Sequence, residues 1–78
     1  MAERELIASF WCREYRTPAQ AFLWSDLSGH KHLIVRYERG GYRGEPEFAA
    51  IVPDHWTGED VLTRFPYMRA EPLNRSVH

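Results

Sequence analysis

Seventy-eight residues, of which 44% are hydrophobic and 14% aromatic, suffice for one folded domain and exclude a disordered chain. A formal net charge of −1 excludes bulk attraction to nucleic acid or to an acidic membrane. No apolar stretch approaches the roughly 20 residues of a membrane-spanning helix, and one cysteine, Cys12, excludes an internal disulfide or a cysteine-rich zinc site.

In chain order, the first segment, "ERELIASFWCREYR", reads two ways. At helical spacing Ile7, Phe10, Trp11 and Tyr15 share a face. At strand spacing Leu6, Ala8, Phe10 and Cys12 oppose Ile7, Ser9, Trp11 and Arg13. The Ala, Glu, Arg and Leu content tips the reading slightly to a helix over an edge strand. In "TPAQAFLWSDLSG", Thr17 can cap, Pro18 suits a first helical position, Gln20 completes a capping box and Gly29 follows the last apolar residue. These cues predict a helix over 18–27 that buries Phe22, Leu23 and Leu27. The rival is a strand over 20–25 that turns back through "SDLSGH" to make a three-stranded meander.

"HKHLIVRYE" reads as a strand, with Leu33, Val35 and Tyr37 on one face and His32, Ile34 and Arg36 on the other. "EFAAIVP" reads as a second strand ended by Pro53, and the intervening "RGGYRGEP" has the composition of a wide hairpin turn. Thr57 then caps a short helix with Glu59 and Asp60 in its first turn, packing Val61, Leu62 and Phe65 and ending before Pro66. The expected fold is a small α+β domain over residues 1–68. It is an antiparallel hairpin (31–38 and 47–53) or three-stranded meander on one or two helices (18–27 and 58–65), with 69–78 as a flexible tail.

Charge is unevenly distributed. Residues 30–43 carry Lys31, Arg36, Arg39 and Arg43 against Glu38, a balance of +3, whereas 44–63 carry five carboxylates and no base. "RGGYRG" resembles the RGG box of RNA-binding proteins, which implies arginine on phosphate and tyrosine stacked on a base. Such boxes are repeated tracts, and this chain has one copy between two strands, so a turn is the stronger reading. Tyr42 flanked by Arg39 and Arg43 at a turn tip is still a set that anchors interfaces.

The remaining motifs carry less. His30 and His32 need a third ligand, with His55 and Asp54 the only nearby candidates, and the expectation is no metal and no cofactor. Cys12 beside Phe10 and Trp11 reads as packing, and "DHW" at 54–56 as a turn. A winged helix-turn-helix order fails because "PAQAFLWSDL" lacks the polar and basic face of a recognition helix. A cavity of about 300 Å³ or more is hard to carve from so small a core, which also argues against an enzyme.

The composition therefore points to a soluble, cytoplasmic, non-catalytic protein-binding module. It would be a small inhibitor or adaptor of the phage or mobile-element kind, such as an anti-CRISPR or anti-restriction protein. Arg36, Arg39, Tyr42 and Arg43 would dock on an acidic or aromatic site of a protein partner and occlude it, with no role for a membrane. The alternative is a nucleic-acid contact by the same basic hairpin, 31–43.

Overall fold

A computed structural model describes residues 4–70, apart from the side chains of Tyr42 and Ala70. Four strands, β1 (Arg4–Cys12), β2 (Thr17–Ser25), β3 (Lys31–Tyr37) and β4 (Glu47–Val52), form one antiparallel sheet in the order β1-β2-β3-β4. Two short helices follow, α1 (Gly58–Arg64) and α2 (Tyr67–Ala70), so the fold is a small α+β domain.

Every pair of successive strands is a hairpin, so side chains opposite one another share a face. One face carries Phe10, Ala19, Ala21, Leu23, Leu33, Val35 and Val52, which cluster with Val61 of α1 and Met68 of α2. The two alanines of β2 are small enough for helical side chains to enter, and Met68 is only 1% exposed. α2 packs on β1, and Arg69 Nη2 ties it to α1 through Glu59 Oε2 at 2.7 Å. The helices thus cover the β1 side of this face.

β3, β4 and α1 lie where alternation and capping put them. Thr57 forms the capping box, its Oγ1 accepting from Asp60 N–H while the Asp60 carboxylate accepts from Thr57 N–H at 2.8 Å. That bonding holds the Asp60 carboxyl below the usual aspartate range. Val61 is fully buried, and Leu62 and Phe65 pack partly against the core.

The helix expected over 18–27 is not formed; its rival is. β2 alternates strictly, with Thr17, Ala19, Ala21 and Leu23 buried and Pro18, Gln20, Phe22 and Trp24 on the other face. The residues that suit a helix start serve the strand instead. The Thr17 hydroxyl accepts from Arg39 N–H at 2.9 Å, and the Pro18 carbonyl accepts from Glu38 N–H at 2.9 Å. Pro18 sits near the strand's beginning, where a missing donor costs least. Gly29 does not end a helix but closes a three-residue hairpin loop. Its N–H bonds the Asp26 carbonyl, Asp26 N–H bonds the His30 carbonyl, and its φ of +88° belongs to a glycine. Asp26 Oδ1 accepts from both Ser28 and His30 N–H at 2.9 Å, fixing the loop, and Leu27 stands at its exposed tip.

The first segment is the edge strand rather than a helix, and its ambiguity has a cause. Leu6 pairs with Phe22 and Ala8 with Ala21, which lie on opposite faces, so a bulge at Ile7 reverses the alternation. The four-stranded sheet therefore combines the edge-strand reading of the first segment with the three-stranded meander. Of the anticipated tail 69–78, residues 69 and 70 belong to α2, and the others lie outside the described residues.

Candidate functional site

One end of the sheet gathers the β1–β2 turn (13–16) and the long β3–β4 loop (38–46). Tyr37 N–H closes the ladder on the Pro46 carbonyl at 2.8 Å, and the loop departs from there. Its entry is pinned by Thr17, the one buried polar residue among the described residues, whose hydroxyl holds Arg39 N–H. A 3₁₀ turn over Tyr42–Gly44 is closed by Gly44 N–H on the Gly41 carbonyl at 3.0 Å. Inside it Arg43 holds φ 55° and ψ 28°. Left-handed backbone at a non-glycine residue is uncommon and concentrates at functional loops.

Arg39 and Arg43 are both exposed in this loop, Tyr42 opens the 3₁₀ turn, and the Tyr42 side chain is outside the described residues. Arg36 is placed differently. It lies on the helix-free face of β3 opposite Glu47, and its Nε and Nη2 donate to Glu47 Oε2 at 3.1 and 3.0 Å. Arg4 Nη1 donates to the same oxygen at 3.1 Å. The Arg4 and Arg36 guanidinium groups together hold the Glu47 carboxyl below its ordinary range. Three of the four expected residues share the loop, and the fourth belongs to a charge trio across the sheet.

Beside the loop the structure overturns one expectation from size. A cavity of about 520 Å³ opens between residues 10–15 at the end of β1 and its turn, Val35 and Tyr37 of β3, and Tyr67 of α2, with Cys12 and Tyr15 in its lining. A second, of about 300 Å³, adjoins it under Phe48, Trp56 and Phe65 and shares Val35, Tyr37 and Tyr67. Both lie in the range of ligand-sized sites. Tyr15 meets Tyr37 edge to face with centroids 5.2 Å apart, and Tyr67 packs likewise on Phe10 and Phe65. Burial pushes the Tyr37 phenol up to about 12 and raises that of Tyr67, so both are neutral hydrogen-bonding groups on an apolar wall. Tyr37 joins loop and cleft, because Gly41 backs onto its ring.

Sequence reasoning missed Tyr15, Tyr37 and Tyr67 as a set. The available signal was a tyrosine in each of three segments whose neighbours are core residues, and only the tertiary fold makes them converge.

Among the described residues no histidine lines the cleft beside Cys12. The sheet register puts Cys12 opposite Thr17 at one end and His32 opposite Trp24 near the other. Seven residues of strand separate Thr17 from Trp24, roughly 23 Å at strand rise. The histidines of "HKH" turn to different carboxylates. His32 Nε2 is 2.9 Å from Asp26 Oδ2 with its ring against Trp24, and His30 Nδ1 is 3.7 Å from Asp54 Oδ1. Among the described residues no group of three metal-ligating side chains converges. Compared with family models, curated proteins and solved structures, the chain matches none of them.

The Thr17 anchor has a direct test. Thr17→Val keeps shape and burial but leaves Arg39 N–H without its acceptor, with an expected cost of about 1–3 kcal/mol. Urea denaturation should show the loss, and amide exchange at Arg39 should quicken. An unchanged Arg39 exchange rate would mean that Thr17 does not hold the loop.

Proposed function

We propose that this chain is a non-catalytic protein-binding module, an inhibitor or adaptor that works in the cytoplasm by occluding a site on its partner. The loop 38–46 makes the contact through Arg39, Tyr42 and Arg43, with Arg36 at its flank. The observation that carries this reading is the pairing of a built loop with an open aromatic cleft. The loop is anchored on a buried threonine and spends left-handed backbone on Arg43, and the cleft beside it is walled by Tyr15, Tyr37 and Tyr67. Partners supply what such a surface needs: a carboxylate for the exposed arginines and an apolar or aromatic side chain for the cleft. Tyrosine and arginine are the residue types in which interface energy concentrates.

Charge favours a protein over a nucleic acid. Glu38 and Glu45 offset Arg39 and Arg43 within the loop, and Arg36 is engaged by Glu47. A phosphate track needs cations without such compensation. The cleft, in turn, suits a side chain better than a backbone of phosphates.

The test is affinity capture from the native host, followed by titration of the captured partner against the wild type and an Arg39→Ala, Tyr42→Ala, Arg43→Ala variant. Loss of hot-spot residues worth about 2 kcal/mol or more predicts at least a roughly thirtyfold weaker complex. Affinity should fall only modestly with added salt. Unchanged binding by the triple variant would defeat the proposal. Capture of nucleic acid with a steep salt dependence would replace it with the phosphate reading.

A further inference from the structure

The two edges of the sheet are built differently. β1 carries Arg4 and Glu5, is bulged at Ile7 and is backed by α2, all features that discourage a further strand. β4, "EFAAIV", has an unbroken register and no lysine or arginine, and its one charge, Glu47, is drawn onto the sheet face by Arg36 and Arg4. Ile51 is 74% exposed and Phe48 43% exposed on its two faces. The chain leaves β4 at Pro53 and crosses to the β1 side, where Gly58 packs on Ile7, so α1 does not shield the edge.

The backbone shows which groups that edge offers. Tyr37 N–H bonds the Pro46 carbonyl, and alternation along the antiparallel ladder then turns residues 48, 50 and 52 towards β3. Glu47, Ala49 and Ile51 point their N–H and C=O groups away from the sheet. No strand beyond β4 takes them up among the described residues.

We propose that β4 pairs with β4 of a second copy, antiparallel about Ala49, to make one continuous sheet across a two-fold axis. The register is self-complementary. Ala49 meets Ala49 of the second copy, Glu47 meets Ile51, and every outward N–H and C=O of residues 47, 49 and 51 gains a partner. On the core-side face the same register sets Phe48 opposite the small Ala50, which leaves room for the ring. The β4 edge does not depend on the loop's being a partner site, so the two ideas can fail separately.

The test uses the full chain. Sedimentation equilibrium over a hundredfold concentration range should give twice the 9.2 kDa chain mass at the upper end, falling towards the chain mass on dilution. Ala49→Pro removes an outward N–H that no internal ladder bond uses, and Ile51→Lys sets a charge on the edge without touching the backbone. Both should be folded by near-ultraviolet circular dichroism and monomeric at every concentration where the wild type is dimeric. Amide exchange at residues 47, 49 and 51 should be slow in the wild-type dimer and fast in either variant. A monomeric wild type, or a dimer that persists in both variants, overturns the proposal. Concentration-independent protection of those amides in a monomer would mean that the edge is covered within one chain and overturn it equally.

Discussion

Phe10→Ala is expected to leave this protein at the limit of folding. Phe10 is 2% exposed, faces Ala19 across the β1–β2 ladder and meets the Tyr67 ring of α2 with centroids 6.0 Å apart. Truncating a buried phenylalanine costs about 3–5 kcal/mol, through lost burial and the cavity left behind. At roughly 0.05–0.15 kcal/mol per residue, a chain of this length has a total stability of about 4–12 kcal/mol. The loss is therefore a quarter of the total at least. α2 should be released first, because its four residues cannot hold a helix without the ring they pack on. Urea denaturation followed by tryptophan fluorescence gives the loss, with Phe10→Leu as the milder comparison. A shift in stability below about 1 kcal/mol for Phe10→Ala would mean that the β1–α2 contact is not the keystone described.

How far the fold could be read from the chain depends on whether a segment's own pattern survives its neighbours. β3 and β4 pair in unbroken register and carry β-branched and aromatic residues between clear turn signals, and α1 begins with a capping box, so all three are legible. β1 is not, because the bulge at Ile7 moves Leu6 to the opposite face from Ala8 and gives Ile7, Phe10 and Trp11 a helix-like spacing. β2 misleads for another reason. Thr17, Pro18 and Gln20 have the chemistry of a helix start, and Thr17 spends its hydroxyl on a residue 22 positions away. Local propensity could not reveal that a central strand would be over-determined by partners on both sides. α2 is too short for any periodicity, and its burial of Met68 becomes visible only once β1 lies beneath it.

The candidate site divides in the same way. The loop 38–46 was legible because glycine and proline announce a turn whatever surrounds them. The position of Arg36 was not, since its tie to Glu47 follows from a register that brings residues 36 and 47 face to face. Nor was the cleft. Its tyrosines come from the β1–β2 turn, the end of β3 and the start of α2, three segments that only the tertiary fold brings together. Size argued that no such cavity would exist, on the assumption that a small core is evenly covered. In this fold the end of β1 with its turn, the end of β3 and the start of α2 meet without filling the space between them, and that space is the cavity.

Gly41→Ala is the substitution that should most damage the loop while sparing the core. Gly41 has φ +114°, which an L side chain rarely adopts. A β-carbon there would run into the Glu45 backbone oxygen and come within 2.7 Å of Tyr37 Cδ2. Neither obstacle can yield cheaply: the first is backbone, and the second is a ring held between Tyr15 and the cleft. Backbone strain and forced packing each cost about 1–3 kcal/mol, and the alternative is for residues 40–45 to rebuild as a different turn. Either way Tyr42 and Arg43 lose their present setting, so capture of a partner through the loop should fall with the stability. Gly44 is the control, with φ +80° but open space around its α-carbon. Gly44→Asn meets only the backbone preference, which asparagine tolerates, and should stay within about 1 kcal/mol of the wild type. Equal behaviour of the two variants in thermal unfolding would mean that Gly41 does not back onto Tyr37, and the link between loop and cleft would be lost with it.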